Sequence, residues 1–205
     1  MPRPFDFFDG IFCVQTRPEA TAAQNLIDRM RRLGCAERVE SVVPDPMVVD
    51  ARVRVASAHR AALELAARSG ARRALIFEDH SLVLSTAGTY LPGVVHDLAD
   101  LAWDTLVLGS LPCERKVSPV EERTHLVRGE FQGSFAVAYT AAAIEELLGQ
   151  LPHDIPSLGD WTAAHDSYGD YLARRPRRLL CVPHLASLTD LLGYEDPHLR
   201  ENFLA

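Results

Sequence analysis

Short apolar runs alternate with longer stretches in which apolar residues recur every three or four positions. "GIFCVQT", Gly10 to Thr16, predicts a first buried strand. After Pro18, "EATAAQNLIDRMRRLG" places Ala22, Leu26, Ile27, Met30 and Leu33 on one helical face, and Gly34 reads as the stop. "RVESVV" predicts a second short strand. A helix through "AHRAALELAARSG" follows, with Ser57 as its cap, Ala61 and Leu65 on its packed face and Gly70 as its end. "RRALIF" is a continuous apolar run, the kind found in a sheet covered on both sides.

Past that run the chain reads as looser, with a helix beginning beyond Pro92. "WDTLVLG", Trp103 to Gly109, predicts another buried strand, and "SLPCERKVSPVEER" a loop punctuated by Pro112 and Pro119. "THLVRG" and "GSFAVAY" predict two strands side by side. "TAAAIEELLGQL" predicts a helix capped by Thr140. "PHDIPSLGD" predicts a loop, "WTAAHDSYGDYLARR" a further helix and "RRLLCVP" the last strand. Helices alternating with short apolar strands imply an α/β sheet of Rossmann-like type. The 205 residues are expected to form a single domain, 1–205.

Composition narrows the partners. Hydrophobic residues make up 47% and charged residues 24%, values of a globular chain. The 28 acidic and 21 basic residues leave a formal charge of -7, and no long Lys/Arg block marks a nucleic-acid surface. Cys13, Cys35, Cys113 and Cys181 form no CxxC pair, which argues against a zinc cluster or a disulfide framework. Cys13 and Cys181 lie inside apolar runs and read as small core residues. No run reaches the roughly 20 apolar residues of a membrane span, and the N-terminus lacks a signal-peptide apolar region. The expectation is a cytoplasmic protein, with peripheral membrane contact left open.

Chemistry concentrates where "RRALIF" ends, in Glu78, Asp79 and His80. Side chains along a strand repeat with period 2, so Glu78 and His80 are expected on one side and Asp79 on the other. A carboxylate oxygen and an imidazole nitrogen on one side can share a divalent ion. Ligands of open α/β sheets bind at the carboxyl ends of the strands, and an ion there would neutralise a diphosphate leaving group. The competing reading is a solvated strand end with a chance acidic pair. His59 lies early in its helix, and Asp104 opens the "TLVLG" strand. Gln132, Gly133 and Ser134 form either hydrogen-bond donors to a sugar or a polar turn. Asp160, Asp166 and Asp170 lie among Trp161 and Tyr168, as an acceptor-side base would, or on an ordinary charged helix surface. Both GxGxxG after the first strand and GxxxxGK are missing.

The order and spacing of these pieces resemble the family 25 glycosyltransferases of lipooligosaccharide and collagen sugar transfer. "CVQTRPE" stands where that family has an "NLDRR"-like turn, with Arg17 retained. His59 precedes "ALIFEDH" where the family has Ser-His before a strand ending in Glu-Asp-Asp; Ala58 replaces the serine and His80 the last aspartate. "WDTLVLG", "GSFAVAYTAAAIEELL", "HDSYGDYL" and "VPHLASLTDLL" complete the set, across roughly residues 8 to 192. The resemblance implies a GT-A fold, a Rossmann-like mixed sheet flanked by helices. It also implies a uridine-diphosphate-linked sugar donor, a manganese or other divalent ion, a glycan or other hydroxyl acceptor, and inversion at the anomeric carbon. On that reading Glu78 and His80 hold the ion and Asp79 contacts the donor. Arg17, His59 and Asp104 shape the donor pocket, Gln132, Gly133 and Ser134 line the sugar side, and Asp160 or Asp166 is the base. The alternatives are a noncatalytic sugar-nucleotide-binding or scaffold protein and a Rossmann-like methyltransferase.

Overall fold

The computed structural model describes residues 3–15, 20–35, 38–44, 51–110, 116–131, 135–151, 175 and 177–188. A short 3-10 helix, Pro4–Phe7, leads into β1 (Gly10–Val14), α1 (Ala20–Arg32), β2 (Val39–Val42) and α2 (Ala51–Arg68). Then come β3 (Arg73–Glu78), β4 (Ser81–Val83), α3 (Ala87–Leu98), β5 (Thr105–Val107), β6 (Lys116–Pro119) and β7 (Leu126–Glu130). β8 (Ala136–Thr140), α4 (Ala141–Gln150), β9 (Arg178–Cys181) and β10 (Ala186–Leu188) follow. Eight strands form one mixed sheet in the order β2-β1-β3-β8-β5-β9-β7-β6, and β10 pairs with β4 beside it.

The continuous apolar run of β3 explains its place near the middle. It pairs in parallel with β1 and antiparallel with β8, and its side chains divide between two cores. Ala74 and Ile76 pack on the face covered by α2 and α4. Leu75 and Phe77 pack on the face covered by α1 and α3. Helix α1 buries Leu26 and Met30 as its spacing predicts, and Gly34 ends it with φ 75° while Cys35 N–H reaches back to Met30 O at 3.0 Å. That left-handed turn is the conformation glycine adopts without a Cβ penalty. Thr140 caps α4 as expected, its Oγ1 accepting from Ala143 N at 3.4 Å.

Several expectations are corrected. Helix α2 begins at Ala51, and Ser57 lies inside it, its hydroxyl donating back to Arg54 O at 3.0 Å. Pro92 lies within α3. An interior proline costs about 3 kcal/mol, but Pro92 faces solvent while Leu91, Val94 and Leu98 bury the other side. Burial of three such side chains is worth roughly 1.5–3 kcal/mol each, so packing wins. The segment after His80 forms β4, part of the expected loop forms β6, and β10 follows β9. β7 and β8 are not neighbours. The first four residues of β8 are buried and it sits between β3 and β5, whereas β7 is fully buried only at Leu126 and lies next to the edge strand. The expected helix over "WTAAHDSYGDYLARR" and the loop before it lie outside the described residues, apart from Arg175.

Candidate active site at the carboxyl edge of the sheet

The alternation of β3 decides where its last residue points. Ala74 and Ile76 face α2, so Glu78 does too. There it meets His59, whose Nε2 lies 3.1 Å from Glu78 Oε1. His59 is 0% exposed and Glu78 6%. The strand ladder ends at this point: Glu78 N–H donates to Phe135 O and Asp79 N–H to Val14 O. Asp79 and His80 form a turn rather than more strand. The turn brings His80 Nε2 to 3.2 Å from Glu78 Oε2 and His80 Nδ1 to 3.4 Å from Asp79 Oδ1. Glu78 and His80 thus converge as the period-2 argument expects. Asp79 is directed to the other side, toward Cys13 in the core beneath α1 and α3.

Exposure differs within the cluster. The side chain of His80 is 17% exposed, against 7% for Glu78 and 0% for both His59 and Asp79. A ligand arriving from solvent meets His80 first. His59 reaches the site through Glu78. Asp79 faces inward, where burial first and its negative charge second push the Cys13 thiol up to about 12. Cys181, fully buried in the same core, is also pushed up by desolvation. Both read as core residues, as expected.

Asp104 is not brought to this site. It precedes β5 at the amino edge of the sheet, where its carbonyl accepts from Thr140 N at 3.0 Å and its carboxylate lies 3.7 Å from Arg177 Nε. β5 runs parallel to β3 through the shared antiparallel neighbour β8, so Asp104 lies level with Arg73 rather than Glu78. About five residues of strand separate those ends, roughly 17 Å. The structure does not bring Asp104 together with Glu78 and His80. Arg17, Gln132, Gly133, Ser134, Asp160 and Asp166 lie outside the described residues.

Three polar residues at the carboxyl edge escaped the sequence pattern. Ser81 is buried and its hydroxyl donates to Phe135 O. Ser110 is 3% exposed, with Oγ 3.4 Å from Nε2 of the half-buried His184. The signal available for Ser110 was its place directly after Gly109. Sequence offered no signal for His184 beyond its presence in "VPHLASL".

A divalent ion can be tested against this geometry. An octahedral ion with ligands near 2.1 Å keeps adjacent ligand atoms about 3 Å apart. Glu78 Oε2 and His80 Nε2, 3.2 Å apart, match two such vertices. Among the described residues no group of three or more His, Cys, Asp or Glu side chains is arranged to hold a metal ion. Any further ligands from outside this pair would include phosphate oxygens and water, as in sites bound through one or two protein groups plus a substrate phosphate.

The architecture defines a GT-A/Rossmann-like fold, a mixed sheet flanked by helices. No protein-family model matches the chain, and no curated protein matches it in sequence. Its fold is similar to a solved glycosyltransferase involved in the glycosylation of the major capsid of PBCV-1, at TM-score 0.52 and 10% identity over 83% of this chain and 80% of that one. It is similar also to the mannose-1-phosphate geranyltransferase from Thermus thermophilus, at TM-score 0.51 and 14% identity over 96% of this chain and 79% of that one. The likeness is a distant one to GT-A-fold glycosyltransferases in general, and does not single out family 25.

Proposed function

We propose that this chain, as a single domain over residues 1–205, transfers a sugar from a nucleotide-diphosphate donor to a hydroxyl acceptor. The observation that carries the reading is the convergence of Glu78 Oε2 and His80 Nε2 at 3.2 Å on the carboxyl edge of a central strand. In open α/β sheets that edge is where ligands bind. The uridine-linked donor, the glycan acceptor of lipooligosaccharide type, the cytoplasmic setting and the family 25 assignment come from the sequence resemblance. So do the roles of Arg17, Gln132, Gly133, Ser134, Asp160 and Asp166.

Glu78 and His80 would hold a divalent ion such as manganese, which when bound neutralises diphosphate charge and favours its departure. The chain's own residues do the positioning. His59 fixes the Glu78 carboxylate from behind, and Asp79 fixes the His80 ring from its other nitrogen. Both supports are buried, so the pair facing the donor is preorganised rather than assembled on binding. Reaction at the donor joins the acceptor oxygen to the anomeric carbon as the bond from that carbon to the diphosphate breaks.

A second reading is favoured by one observation: each Glu78 oxygen already has a histidine nitrogen within 3.2 Å. A site so satisfied suits a noncatalytic protein that binds the donor without turnover. A thermal-shift panel of uridine-diphosphate sugars, with manganese and with chelator, followed by assay of uridine diphosphate release, separates the two. Transfer predicts a shift and release, both weakened by chelator. A shift without release from any donor supports the binder, and no shift with any donor sinks both.

A further inference from the structure

The Glu78–His80 pair offers two different ligand atoms, and the chain fixes which two. A carboxylate accepts hydrogen bonds and donates none. His59 Nε2, 3.1 Å from Glu78 Oε1, is therefore the donor in that contact. It holds Oε1 from α2, while Oε2 lies 3.2 Å from His80 Nε2. Asp79 does the same for the ring. Its Oδ1 lies 3.4 Å from His80 Nδ1, so Nδ1 carries the hydrogen and Nε2 is the ring nitrogen turned to Glu78. The side chains of both supports are 0% exposed, whereas that of His80 keeps an opening to solvent. Backbone bonds hold the order: Glu78 N–H donates to Phe135 O at 2.8 Å and Asp79 N–H to Val14 O at 2.9 Å, just before the chain turns at His80. One oxygen and one nitrogen thus face each other, in place of a set of carboxylate oxygens.

We infer that this pair selects its ion: a transition ion from the iron-to-zinc part of the first row, in preference to magnesium and calcium. This rests on the sugar-transfer reading, which supplies the phosphate oxygens that complete the ion's shell. Imidazole nitrogen suits iron, nickel, copper and zinc, whereas magnesium and calcium take carboxylate, carbonyl and water oxygens. Calcium collects about 6–8 oxygen ligands and often takes both oxygens of one carboxylate. With His59 on Oε1, Glu78 is set to bind through Oε2 alone. Magnesium gives up its water reluctantly and is held through carboxylates and phosphates. Manganese stands lowest in the order of rising affinity along the row, so it binds but is displaced by the ions above it. Asp79 is a positioning residue: by holding Nδ1–H it orients the ring and makes Nε2 the stronger ligand. The aspartate that His80 replaces in the family 25 resemblance would offer oxygen only, so this one difference in sequence moves the preference.

The test uses the full chain with uridine diphosphate and manganese, read by electron spin-echo modulation rather than by turnover. Bound manganese should show coupling to an imidazole nitrogen, and the coupling should change when the chain is made with histidine carrying the heavy nitrogen isotope. His80→Asp should abolish the coupling while manganese still binds. Competition against bound manganese then gives the ion order. Cobalt and zinc should displace it from wild type at far lower concentration than magnesium or calcium. In His80→Asp the preference for cobalt over magnesium should fall severalfold. The same uridine diphosphate is present in both, so its own ion preference cancels. Asp79→Ala should weaken manganese binding by about 10-fold or more, and Asp79→Asn, whose amide oxygen can accept from Nδ1–H, should recover part of that loss. Wild type that binds manganese without nitrogen coupling overturns the inference and leaves the sugar-transfer reading standing, as does an ion preference unchanged in His80→Asp. If that variant does not fold, the isotope-labelled wild type decides alone. Wild type that shows no thermal shift with any uridine-diphosphate sugar, whichever ion is added, removes the sugar-transfer reading and this inference with it.

Discussion

The two edges of the central sheet treat their acids differently. At the amino edge, Asp9 accepts from Arg72 N and Arg73 N at 3.1 and 2.9 Å and lies 3.6 Å from the Arg73 guanidinium. Arg73 also rests over the Phe7 ring at 4.1 Å. Asp104 pairs there with Arg177, whose side chain is 57% exposed. These carboxylates face permanent cations in pairs that stay partly open to water, an arrangement that ties loops to strands. At the carboxyl edge, Glu78 is buried and faces two imidazoles. Burying a carboxylate is costly even when it is hydrogen-bonded. Position relative to strand direction, more than the presence of an acid, thus separates a candidate site from scaffolding.

Breaking the carboxyl edge should have the largest effect. Glu78→Ala is expected to lower uridine diphosphate release from a responsive donor by about 10²-fold or more. Asp9→Ala, its amino-edge counterpart, should leave release within about twofold. Equal loss in both would erase the distinction drawn between the edges. Next comes His59→Ala, which removes a partner from a buried carboxylate and is expected to cost about 3 kcal/mol in a urea titration. His59→Gln, able to donate to Glu78 again, should recover part of that loss. Gly109→Ala should cost about 2 kcal/mol by the same titration, because the new methyl meets Ala186 O. An unchanged midpoint would mean that β10 does not close over β5 as described. The smallest effect belongs to Asp104→Ala, expected within about 0.5 kcal/mol and without effect on donor binding.

The thiols report on the core behind the site. Cys13 is pushed up from 9.0 to about 12 in the folded protein. The folded state therefore binds its proton more tightly than the unfolded state. The resulting stability is fully present below pH 9 and declines as pH rises from there toward about 12. Disulfide-exchange reagents at about pH 8 should leave Cys13 and Cys181 unmodified in the native protein and label both in urea. Labelling at the native rate of a free thiol would contradict the burial of both side chains.

Much of the scaffold was legible in the chain. The continuous run ending at Phe77 announced a doubly covered strand, and the 3- and 4-residue spacing of Leu26 and Met30 announced the buried face of α1. Pro92 and Ser57 misled, because local preferences of a few kcal/mol yield to burial of a whole helix face. β10 was not legible at all: three residues paired with β4 have too little periodicity to stand out.

Local pattern was enough to set the direction of Glu78 and its place at the end of a buried strand, since alternation and apolar run length belong to the segment itself. The rest of the site came from tertiary structure. His59 and Glu78 are 19 residues apart and Ser110 and His184 are 74 apart, and each pair meets only because strand order folds their elements together. Strand order likewise sent Asp104 to the far edge, although a strand that begins with an acid looks much the same in sequence as one that ends with it. Periodicity tells which face a side chain takes; it does not tell which neighbour, or which end of a sheet, will be waiting there.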